Sequence, residues 1–414
     1  MNTGDFARYV QEIVDTGIFT NDGPFVKLLE EKVAAYACVK HVIAVSNATV
    51  GIEWTLRAMN LKPGGQVILP SFTFIATAHA VIAAGLTPVF CDVNMVTHLI
   101  EVDEIAKLIT KETVAILGVN LWGLMCTPTV EAYANEKNIP IIFDSAHSFG
   151  ACNSHGARAG NTGCAEIFSL HATKLFNSFE GGLILTNDDA LAFKLVAMRN
   201  FGITGQDKVE FIGTNCKMSE IHAAFALSQF ASIDETVAIY RRNALRYSEE
   251  LKTYNLKSIS LWNDNFFGTA CTHSYVCLVV EDSSPITRDA LMEGLREKNI
   301  YAKRYFYPGT HKHECYAQWT PVESLKNTEW LNEHLLILPT GRMVTSEDID
   351  RIVESIADIY NTAARFTTRA KPDATIKVDQ TKSATRKAYI TQKIQTLRVY
   401  LEEYEAELRS IAHE

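Results

Sequence analysis

Long apolar runs are absent from this sequence, and none approaches the ~20 residues that a helix needs to span a bilayer. The start, MNTGDFARYV, lacks the charged and apolar regions of a secretory signal peptide. No block rich in lysine and arginine occurs, and the formal net charge of -9 disfavours a nucleic-acid surface. We therefore expect a cytoplasmic protein that has neither a membrane nor a nucleic acid as a partner.

Cysteine pairs at metal-binding spacing are also missing. The nine cysteines are an odd number and none forms a CxxC pair, so the sequence indicates neither a disulfide framework nor a metal site such as zinc. Apolar residues make up 47% and charged residues 21% of the chain, which is ordinary for a globular protein. A chain of 414 residues exceeds what one core usually supports, which predicts one large and one smaller domain.

The sequence does contain an alternation of short apolar runs with segments of helical periodicity. Between His41 and Val119 it predicts strands at 41–45, 66–69, 87–90 and 114–119, with helices at 76–84 and 102–110. Strands that alternate with helices indicate an α/β protein with a mostly parallel central sheet and helices on both faces.

The stretch SLHATKLFNSFEGG, from Ser169 to Gly182, holds a single lysine, Lys174, between two apolar runs. Ile167 and Phe168 precede it and a Leu-Ile-Leu run follows it, which predicts a strand, an exposed turn and a second strand. Lysine is seldom fully buried, so a lysine between two buried strands is unusual. A plain surface lysine on a hairpin is the alternative for this stretch taken alone.

A second stretch, PIIFDSAHSFG, ends a continuous apolar run in Asp144. Such a run is typical of a strand buried on both faces, and ligands bind at the carboxyl ends of the strands in open α/β sheets. An aspartate that caps the next turn is the alternative. Asp144 and Lys174 together suit pyridoxal 5'-phosphate (PLP), because a lysine forms its Schiff-base link and an aspartate keeps its pyridine nitrogen protonated.

Two earlier motifs supply candidates for the remaining parts of this cofactor. SNAT, at residues 46–49, lies between a strand and a helix, where free N–H groups at the helix N-terminus bind phosphate. We therefore take Asn47 and Ala48 as phosphate candidates, with a simple N-cap as the alternative. PSFTFIAT carries Phe72 and Phe74, and an aromatic side chain stacks well on a pyridine ring, whereas core positions are the alternative.

Five motifs in a fixed order resemble the sugar aminotransferases of the DegT/DnrJ/EryC1/StrS family, over roughly residues 10 to 365. The motifs are SNAT, PSFTFIAT, DSAHSFGA, SLHATK…EGG and GTNCKMSEIHAA. The resemblance implies the PLP-dependent fold of aspartate aminotransferase. It also implies a large PLP-binding domain at 1–250 with an N-terminal segment, and a smaller α+β domain at 251–365.

The resemblance also implies a set of roles for individual residues. Lys174 carries PLP and moves the proton during amino transfer, while Phe74 stacks on the ring. His147 lies beside the cofactor's 3-hydroxyl, and Ser169 binds the phosphate. Asn215 reaches the phosphate from a neighbouring subunit, which predicts a homodimer or a higher homo-oligomer.

The substrates implied by the resemblance are L-glutamate and a nucleotide-linked keto sugar, and the FNSFEGG variant favours a dTDP-linked 3-keto or 4-keto 6-deoxysugar. The aromatic and basic stretch YAKRYFYPGTHKH supplies the candidates for substrate binding: Lys303, Arg304, Tyr307 and His311. Guanidinium and ammonium groups bind a diphosphate well, while a solvated strand edge is the alternative.

Two other functions on the same fold remain as alternatives. A PLP-dependent keto-sugar dehydratase is one, but the dehydratases that this sequence resembles replace the Schiff-base lysine with histidine, and Lys174 is present. A regulator that binds ligand without catalysis is the other, and an intact Lys174 and Asp144 disfavour it.

The tail, residues 366–414, does not belong to the resemblance. A polar linker precedes seven seam residues with heptad spacing: Ile390, Ile394, Leu397, Leu401, Tyr404, Leu408 and Ile411. A narrow apolar stripe of this length needs a partner helix, so we expect the tail to pair with another tail. Packing of the stripe on the chain's own catalytic domain is the alternative.

Overall fold

The computed structural model describes residues 3–321 and 323–369, and its centre is a seven-stranded sheet. The strands are β1 (His41–Val45), β2 (Gln66–Pro70), β3 (Thr87–Cys91), β4 (Thr113–Val119), β5 (Ile141–Asp144), β6 (Ala165–Ser169) and β7 (Gly182–Thr186). Their order across the sheet is β1-β7-β6-β5-β4-β2-β3. β7 is antiparallel to both of its neighbours, and all other neighbouring strands of this sheet are parallel. The prediction of a mostly parallel sheet is therefore confirmed.

Helices cover both faces of this sheet. Successive side chains of each strand point to opposite sides, so each strand contributes side chains to the packing on both faces. The helices are α1 (Thr3–Thr16), α2 (Pro24–Ala37), α3 (Ala48–Ala58), α4 (Ile75–Ala83), α5 (Val102–Leu108), α6 (Pro128–Glu136), α7 (Asp189–Met198) and α8 (Glu220–Phe230). Ile167 and Ile184 join a core with α3, whereas their neighbours Phe168 and Leu183 join a core with α2 and α8. The predicted α/β class is therefore confirmed.

Helix α2 receives its N-terminal cap from a distant residue. The carboxylate of Glu220, at the start of α8, accepts the N–H groups of Phe25 at 2.7 Å and Val26 at 3.0 Å. A Cβ on Gly23 would lie 2.5 Å from that carboxyl carbon, so only glycine fits here without a shift. This contact ties the N-terminal helices to the motif around Asn215, and it satisfies two of the four free N–H groups of α2.

A second, three-stranded antiparallel sheet forms from β10 (Ile259–Leu261), β11 (Val276–Val280) and β12 (Leu335–Leu338), in that order. The helices of this part of the chain are α9 (Ile233–Thr253), α10 (Arg288–Glu297), α11 (Lys326–His334) and α12 (Ser346–Arg369). Residues of α9, α10 and α12 share one apolar core with this sheet. The sequence Thr345-x-x-Asp348 predicts a capping box, and the box is present, since the N–H of Asp348 donates to Thr345 Oγ1 and the N–H of Thr345 to Asp348 Oδ2, each at 3.1 Å.

The structure differs from the sequence-based expectation in three segments. Residues 218–250 have helical sequence throughout, but they form two helices, α8 and α9, and the Ser232 hydroxyl between them donates to the carbonyl of Gln229. The glycine-containing sequence at 201–214 predicts a long loop, but it contains a short hairpin of β8 (Ile203–Gly205) and β9 (Lys208–Val209). Helix α12 runs to Arg369, past residue 366, where the linker was expected to begin.

The heptad seam between Ile390 and Ile411 lies outside the described residues, and the pairing of the tail stays a prediction. The domain limits at residues 250 and 365 also stay predictions. Among the helices that the structure describes, none is long and apolar enough to cross a membrane.

Candidate active site

Lys174 lies in the turn between β6 and β7, as the sequence predicts. Its Nζ donates a hydrogen bond to the hydroxyl of Tyr275 at 3.4 Å. Burial lowers the pKa of Lys174 to about 8, although the nearby Asp144 carboxylate acts in the opposite direction and Lys303 adds to the lowering. A lysine with this pKa has a substantial neutral fraction near neutral pH, and the neutral amine is the form that attacks a carbonyl group.

Asp144 ends β5 and lies in the same buried region. Its Oδ2 accepts the Thr77 hydroxyl at 2.8 Å, and its Oδ1 accepts the N–H of Ala146 at 3.1 Å. Burial raises the pKa of Asp144, while these two hydrogen bonds and the charge of Lys174 counteract the increase. The carboxylate is thus partly desolvated but stabilised by two donors, which suits it to pair with a cationic nitrogen.

His147 lies three residues after Asp144 with its ring buried between aromatic side chains. The ring centroid is 4.3 Å from that of Tyr275 and 5.4 Å from that of Trp122. Burial, together with the charge of Lys174, lowers the pKa of His147 well below its usual value, so the ring is neutral. Its Nδ1 is buried and has no hydrogen-bond partner among the residues that the structure describes. An orphaned buried nitrogen of this kind marks a place for a ligand atom.

The N-terminus of α3 forms another wall of the site. Asn47 is the N-cap, and its Oδ1 accepts the N–H of Val50 at 2.9 Å, so the N-cap alternative describes its side chain correctly. The N–H groups of Ala48 and Thr49, in the first turn, have no acceptor within the helix. A Cβ on Gly182 would lie 2.7 Å from the nitrogen of Ala48, and this explains why a glycine begins β7 next to the helix end.

Ser169 and Phe74 also reach this region. Ser169 ends β6, and its Oγ accepts the N–H of His171 at 3.3 Å. Phe74 is 58% exposed, whereas Phe72 is fully buried in the core. Phe72 therefore belongs to the core, whereas Phe74 faces the open site and is available for stacking.

These side chains line one cavity of about 750 Å³. Among the residues predicted from sequence, the cavity wall contains Lys174, Asp144, His147, Ser169, Phe74, Asn47, Ala48 and Lys303. The structure thus brings together segments that lie between residues 46 and 306 in the sequence. Their roles in binding or catalysis stay predictions that this geometry supports.

Three predicted substrate contacts do not lie in the wall of this cavity. The Arg304 guanidinium pairs with Asp289 at 3.4 Å and lies 4.6 Å from the ring centroid of Tyr307, so these two side chains contact each other. His311 is buried, and its Nδ1 is 2.5 Å from the hydroxyl of Ser71 at the end of β2. Local packing therefore holds Arg304, Tyr307 and His311 away from the cavity of their own chain, and their assignment to substrate stays a prediction.

Asn215 also lies apart from the cavity wall of its own chain. It is exposed, and its Oδ1 accepts the Lys217 ammonium group at 2.6 Å. An exposed position is what a contact to a neighbouring subunit requires, and that contact stays a prediction.

Sequence reasoning missed several residues at the site. Tyr275 and Thr77 contact Lys174 and Asp144, and no pattern in the sequence pairs residues that lie 101 and 67 positions apart. Glu166, on β6, is fully buried. Its place directly before the apolar pair Ile167 and Phe168 was the one signal in the sequence for its burial. Its carboxylate accepts Ser145 Oγ at 2.7 Å and Asn120 Nδ2 at 3.2 Å, and thereby supports the residue after Asp144.

Comparison with known proteins agrees with this geometry. The model of the DegT/DnrJ/EryC1/StrS aminotransferase family matches residues 2–357. The chain belongs to this family. It is therefore a PLP-dependent sugar aminotransferase, with the PLP-dependent fold type I that the motifs predict.

Two relatives and one solved structure show the extent of the similarity. The dTDP-4-amino-4,6-dideoxy-D-glucose transaminase of Shigella dysenteriae is 34% identical over 357 residues, which are 86% of this chain and 95% of the relative. GDP-perosamine synthase of Caulobacter vibrioides is 32% identical over 360 residues, which are 86% and 95% of the two chains. DesI, solved in the presence of its TDP-sugar product, matches with a TM-score of 0.82 and 35% identity, over 89% of this chain and 93% of DesI.

The residues of the cavity fit PLP. The cofactor carries an aldehyde, a 3-hydroxyl, a pyridine nitrogen and a phosphate, and the cavity offers a group of suitable chemistry for each. The amine of Lys174 suits the aldehyde, the free Nδ1 of His147 suits the hydroxyl, and the carboxylate of Asp144 suits the pyridine nitrogen. The N-terminus of α3 and the hydroxyl of Ser169 suit the phosphate.

Proposed function

We propose that this aminotransferase transfers the amino group of L-glutamate to the C4 keto group of a dTDP-linked 6-deoxysugar. The structural observation that supports amino transfer is that Lys174, Asp144 and the N-terminus of α3 open into one cavity. The choice of sugar rests on the similarity to the Shigella dysenteriae enzyme and to DesI, whose names specify a dTDP or TDP sugar.

In this mechanism Lys174 would hold PLP by its aldehyde, and its amine would be free for proton transfer once an amino donor is bound. PLP supplies an electron-accepting ring, which stabilises the charge left on the donor Cα when its proton is removed. The freed Lys174 Nζ takes that proton and later returns it, so it acts as base and then as acid. A lysine whose pKa is lowered to about 8 suits both roles near neutral pH.

Asp144 and His147 hold the ring in the orientation that this chemistry needs. The Asp144 carboxylate, with its two hydrogen-bond donors, favours a protonated pyridine nitrogen and so strengthens the electron-accepting character of the ring. The exposed face of Phe74 fixes the ring plane by stacking. None of these residues moves a proton at the donor Cα.

Lys303 is the positive charge that we assign to the sugar nucleotide. It is exposed and lines the same cavity, and its backbone is held by two hydrogen bonds to Ile337 on β12, at 2.8 and 2.9 Å. A rigid backbone with a mobile ammonium group suits a diphosphate whose position varies with the attached sugar. Arg304 pairs with Asp289 at 3.4 Å and does not line this cavity in its own chain, so we assign the contact to Lys303.

We also propose that the enzyme acts as a cytoplasmic homodimer in which Asn215 reaches the partner's phosphate site. Exposure of Asn215 supports this proposal, as do two exposed apolar side chains that shortly precede it in the chain, Ile212 at 88% and Val209 at 66%. Exposed apolar residues that lie together mark protein interfaces.

The test uses the purified full chain loaded with PLP. Incubation with L-glutamate and dTDP-4-keto-6-deoxyglucose is expected to release 2-oxoglutarate and to give the amino sugar, read by mass spectrometry. The GDP-linked 4-keto-6-deoxymannose and a dTDP-linked 3-keto isomer serve as comparison substrates. Faster turnover of either comparison substrate would contradict the proposed sugar, and no release of 2-oxoglutarate with any of them would contradict the proposed reaction.

A further inference from the structure

Tyr275 contacts the amine of Lys174, although it belongs to the segment that forms the three-stranded sheet. It immediately precedes β11 of the three-stranded sheet, and its hydroxyl accepts the hydrogen bond from Lys174 Nζ at 3.4 Å. The same ammonium nitrogen is 5.9 Å from the centroid of the tyrosine ring. We propose that Tyr275 is a positioning residue, whose hydroxyl holds the free amine of Lys174 in place for proton transfer.

Two hydrogen bonds from one buried side chain fix the backbone of Tyr275 and of the two residues that follow it. Asn263 is fully buried, and its Nδ2 donates to the carbonyl of Tyr275 at 2.8 Å. The Asn263 Oδ1 accepts the N–H of Cys277 at 2.8 Å, which defines the orientation of the amide. A hydroxyl on such a fixed backbone occupies a defined position, and this is what a group that orients another side chain requires.

The segment around Tyr275 is also joined to the turn after Asp144. Ser274 Oγ donates to the carbonyl of His147 at 2.7 Å, and the rings of Tyr275 and His147 lie 4.3 Å apart. Both residues are buried. Tyr275 therefore joins the three-stranded sheet to the cofactor side of the site, and its hydroxyl is the one of this segment that meets Lys174.

The contact with Tyr275 matters most when Lys174 is not linked to the cofactor, because its amine is then mobile. Once an amino donor replaces it, Lys174 has a flexible four-carbon stem and no covalent restraint on its nitrogen. Among the described residues, Tyr275 is the side chain whose polar atom lies within hydrogen-bond distance of that nitrogen. Holding the nitrogen near the donor Cα avoids the loss of rate that a displacement of about 1 Å causes.

The test is Tyr275→Phe, which removes one oxygen atom and keeps the ring packed against His147. The first measurement uses the cofactor-free enzyme and records the pH dependence of acetylation of Lys174, read by peptide mass spectrometry. Since the hydroxyl accepts from the charged amine, its loss is expected to lower the pKa of Lys174 by about one unit. The second measurement is the rate at which L-glutamate bleaches the PLP-loaded enzyme, which is expected to fall about tenfold.

Tyr247→Phe is the matched control. Tyr247 is fully buried in the core of the three-stranded sheet, and its hydroxyl donates to the carbonyl of Pro339 at 2.7 Å, outside the cavity. This variant is expected to lose stability without a change in the pKa of Lys174 or in the rate of bleaching. An unchanged Lys174 pKa in Tyr275→Phe, or an unchanged rate of bleaching, overturns the positioning role whatever happens to stability.

This inference rests on the proposed amino transfer, but the two fail in different experiments. Acetylation of Lys174 in the cofactor-free enzyme needs neither glutamate nor a sugar nucleotide. A wrong sugar assignment would leave the pKa difference between Tyr275→Phe and the unchanged enzyme in place. A correct sugar assignment with no pKa difference would overturn the role of Tyr275 alone.

Discussion

The hydroxyl of Thr77 donates to Asp144 Oδ2 at 2.8 Å, and Thr77 Oγ1 lies 2.8 Å from Thr73 Oγ1. Because the Thr77 proton goes to the carboxylate, the Thr73 hydroxyl donates to Thr77, and two hydroxyls form a chain that ends at Asp144. Hydrogen bonds in such a chain polarise one another. The chain opposes the burial that raises the pKa of Asp144 and so favours the ionised form.

Thr77→Val is therefore expected to weaken PLP binding about tenfold, since a hydrogen bond to a charged group contributes about 1.5–3 kcal/mol. Loss of the donor raises the pKa of Asp144, so the defect grows as the pH falls. A titration of the cofactor-free enzyme with PLP at several pH values measures this effect. Thr55→Val is the control, because its hydroxyl is buried in α3 and bonds the carbonyl of Gly51 away from the site. Equal losses in both variants would contradict a specific role for Thr77.

The lowered pKa of Lys174 predicts how PLP attachment depends on pH. The neutral amine attacks the aldehyde, so the rate of covalent attachment to the cofactor-free enzyme is expected to rise with pH and to level off above about 8. Stopped-flow absorbance measures this rate. Lys174→Ala is expected to show no covalent attachment and no transamination. A midpoint near the usual lysine pKa of about 10.4, or turnover in Lys174→Ala, would contradict the assignment.

Lys303→Ala tests the proposed diphosphate contact. We expect a several-fold higher KM for the sugar nucleotide, less salt dependence of that KM, and little change in the reaction with glutamate alone. The charge of Lys303 also lowers the pKa of Lys174, so this pKa is expected to rise slightly in the variant. Lys312→Ala is the control, because Lys312 pairs with Glu329 at 3.2 Å outside the cavity. A KM that rises equally in both variants would point to a general effect of charge.

Mixed dimers test whether Asn215 completes the partner's site. Lys174→Ala and Asn215→Ala are each expected to be inactive, and a mixture that is unfolded and refolded together is expected to regain part of the activity. In a mixed dimer, one site holds both an intact Lys174 and an intact Asn215. Native mass spectrometry measures the mixed dimers. If they form and remain inactive, the sites are not shared between subunits.

Glu166→Ala is expected to destabilise the protein by at least about 1–3 kcal/mol, the cost of one buried donor left without an acceptor, because several donors lose theirs. The carboxylate accepts Ser145 Oγ and Asn120 Nδ2 on one oxygen, and the N–H groups of Gly160 and Thr162 on the other. Denaturant unfolding of the cofactor-free enzyme measures the loss. Glu12→Ala, on the exposed side of α1, is the control and is expected to change stability by less than about 0.5 kcal/mol. Similar losses in both variants would contradict the role of Glu166.

Short apolar runs next to functional residues were the most informative parts of the sequence. The strand His41–Val45 has the bounds that its apolar run predicts, and Lys174 lies in the expected turn. These features are local, since a buried strand needs apolar side chains and its ends need turn residues. The motifs at Asp144 and Lys174 also identified the family correctly.

The contacts that complete the site were not predictable in this way. Thr77 and Tyr275 meet their partners only after the chain has folded, and a threonine in a helix or a tyrosine before a strand carries no local signal. His311 adds a contact of the same kind, since its Nδ1 lies 2.5 Å from the hydroxyl of Ser71, 240 positions away in the chain. Its assignment to substrate stays a prediction.

β7 lies between β1 and β6 in the sheet, so the strands do not pair in the order in which they are synthesised. Among the described strands β1 pairs only with β7, so the first strand of the seven-stranded sheet to be synthesised has its partner in the last strand of that sheet. A ribosome releases His41–Val45 long before Gly182–Thr186, and until then both edges of β1 are open. The nascent chain must therefore keep an apolar strand from pairing elsewhere until the segment that follows Lys174 emerges. Pairing of β1 and completion of the lysine turn therefore depend on the same segment of the chain, Gly182–Thr186.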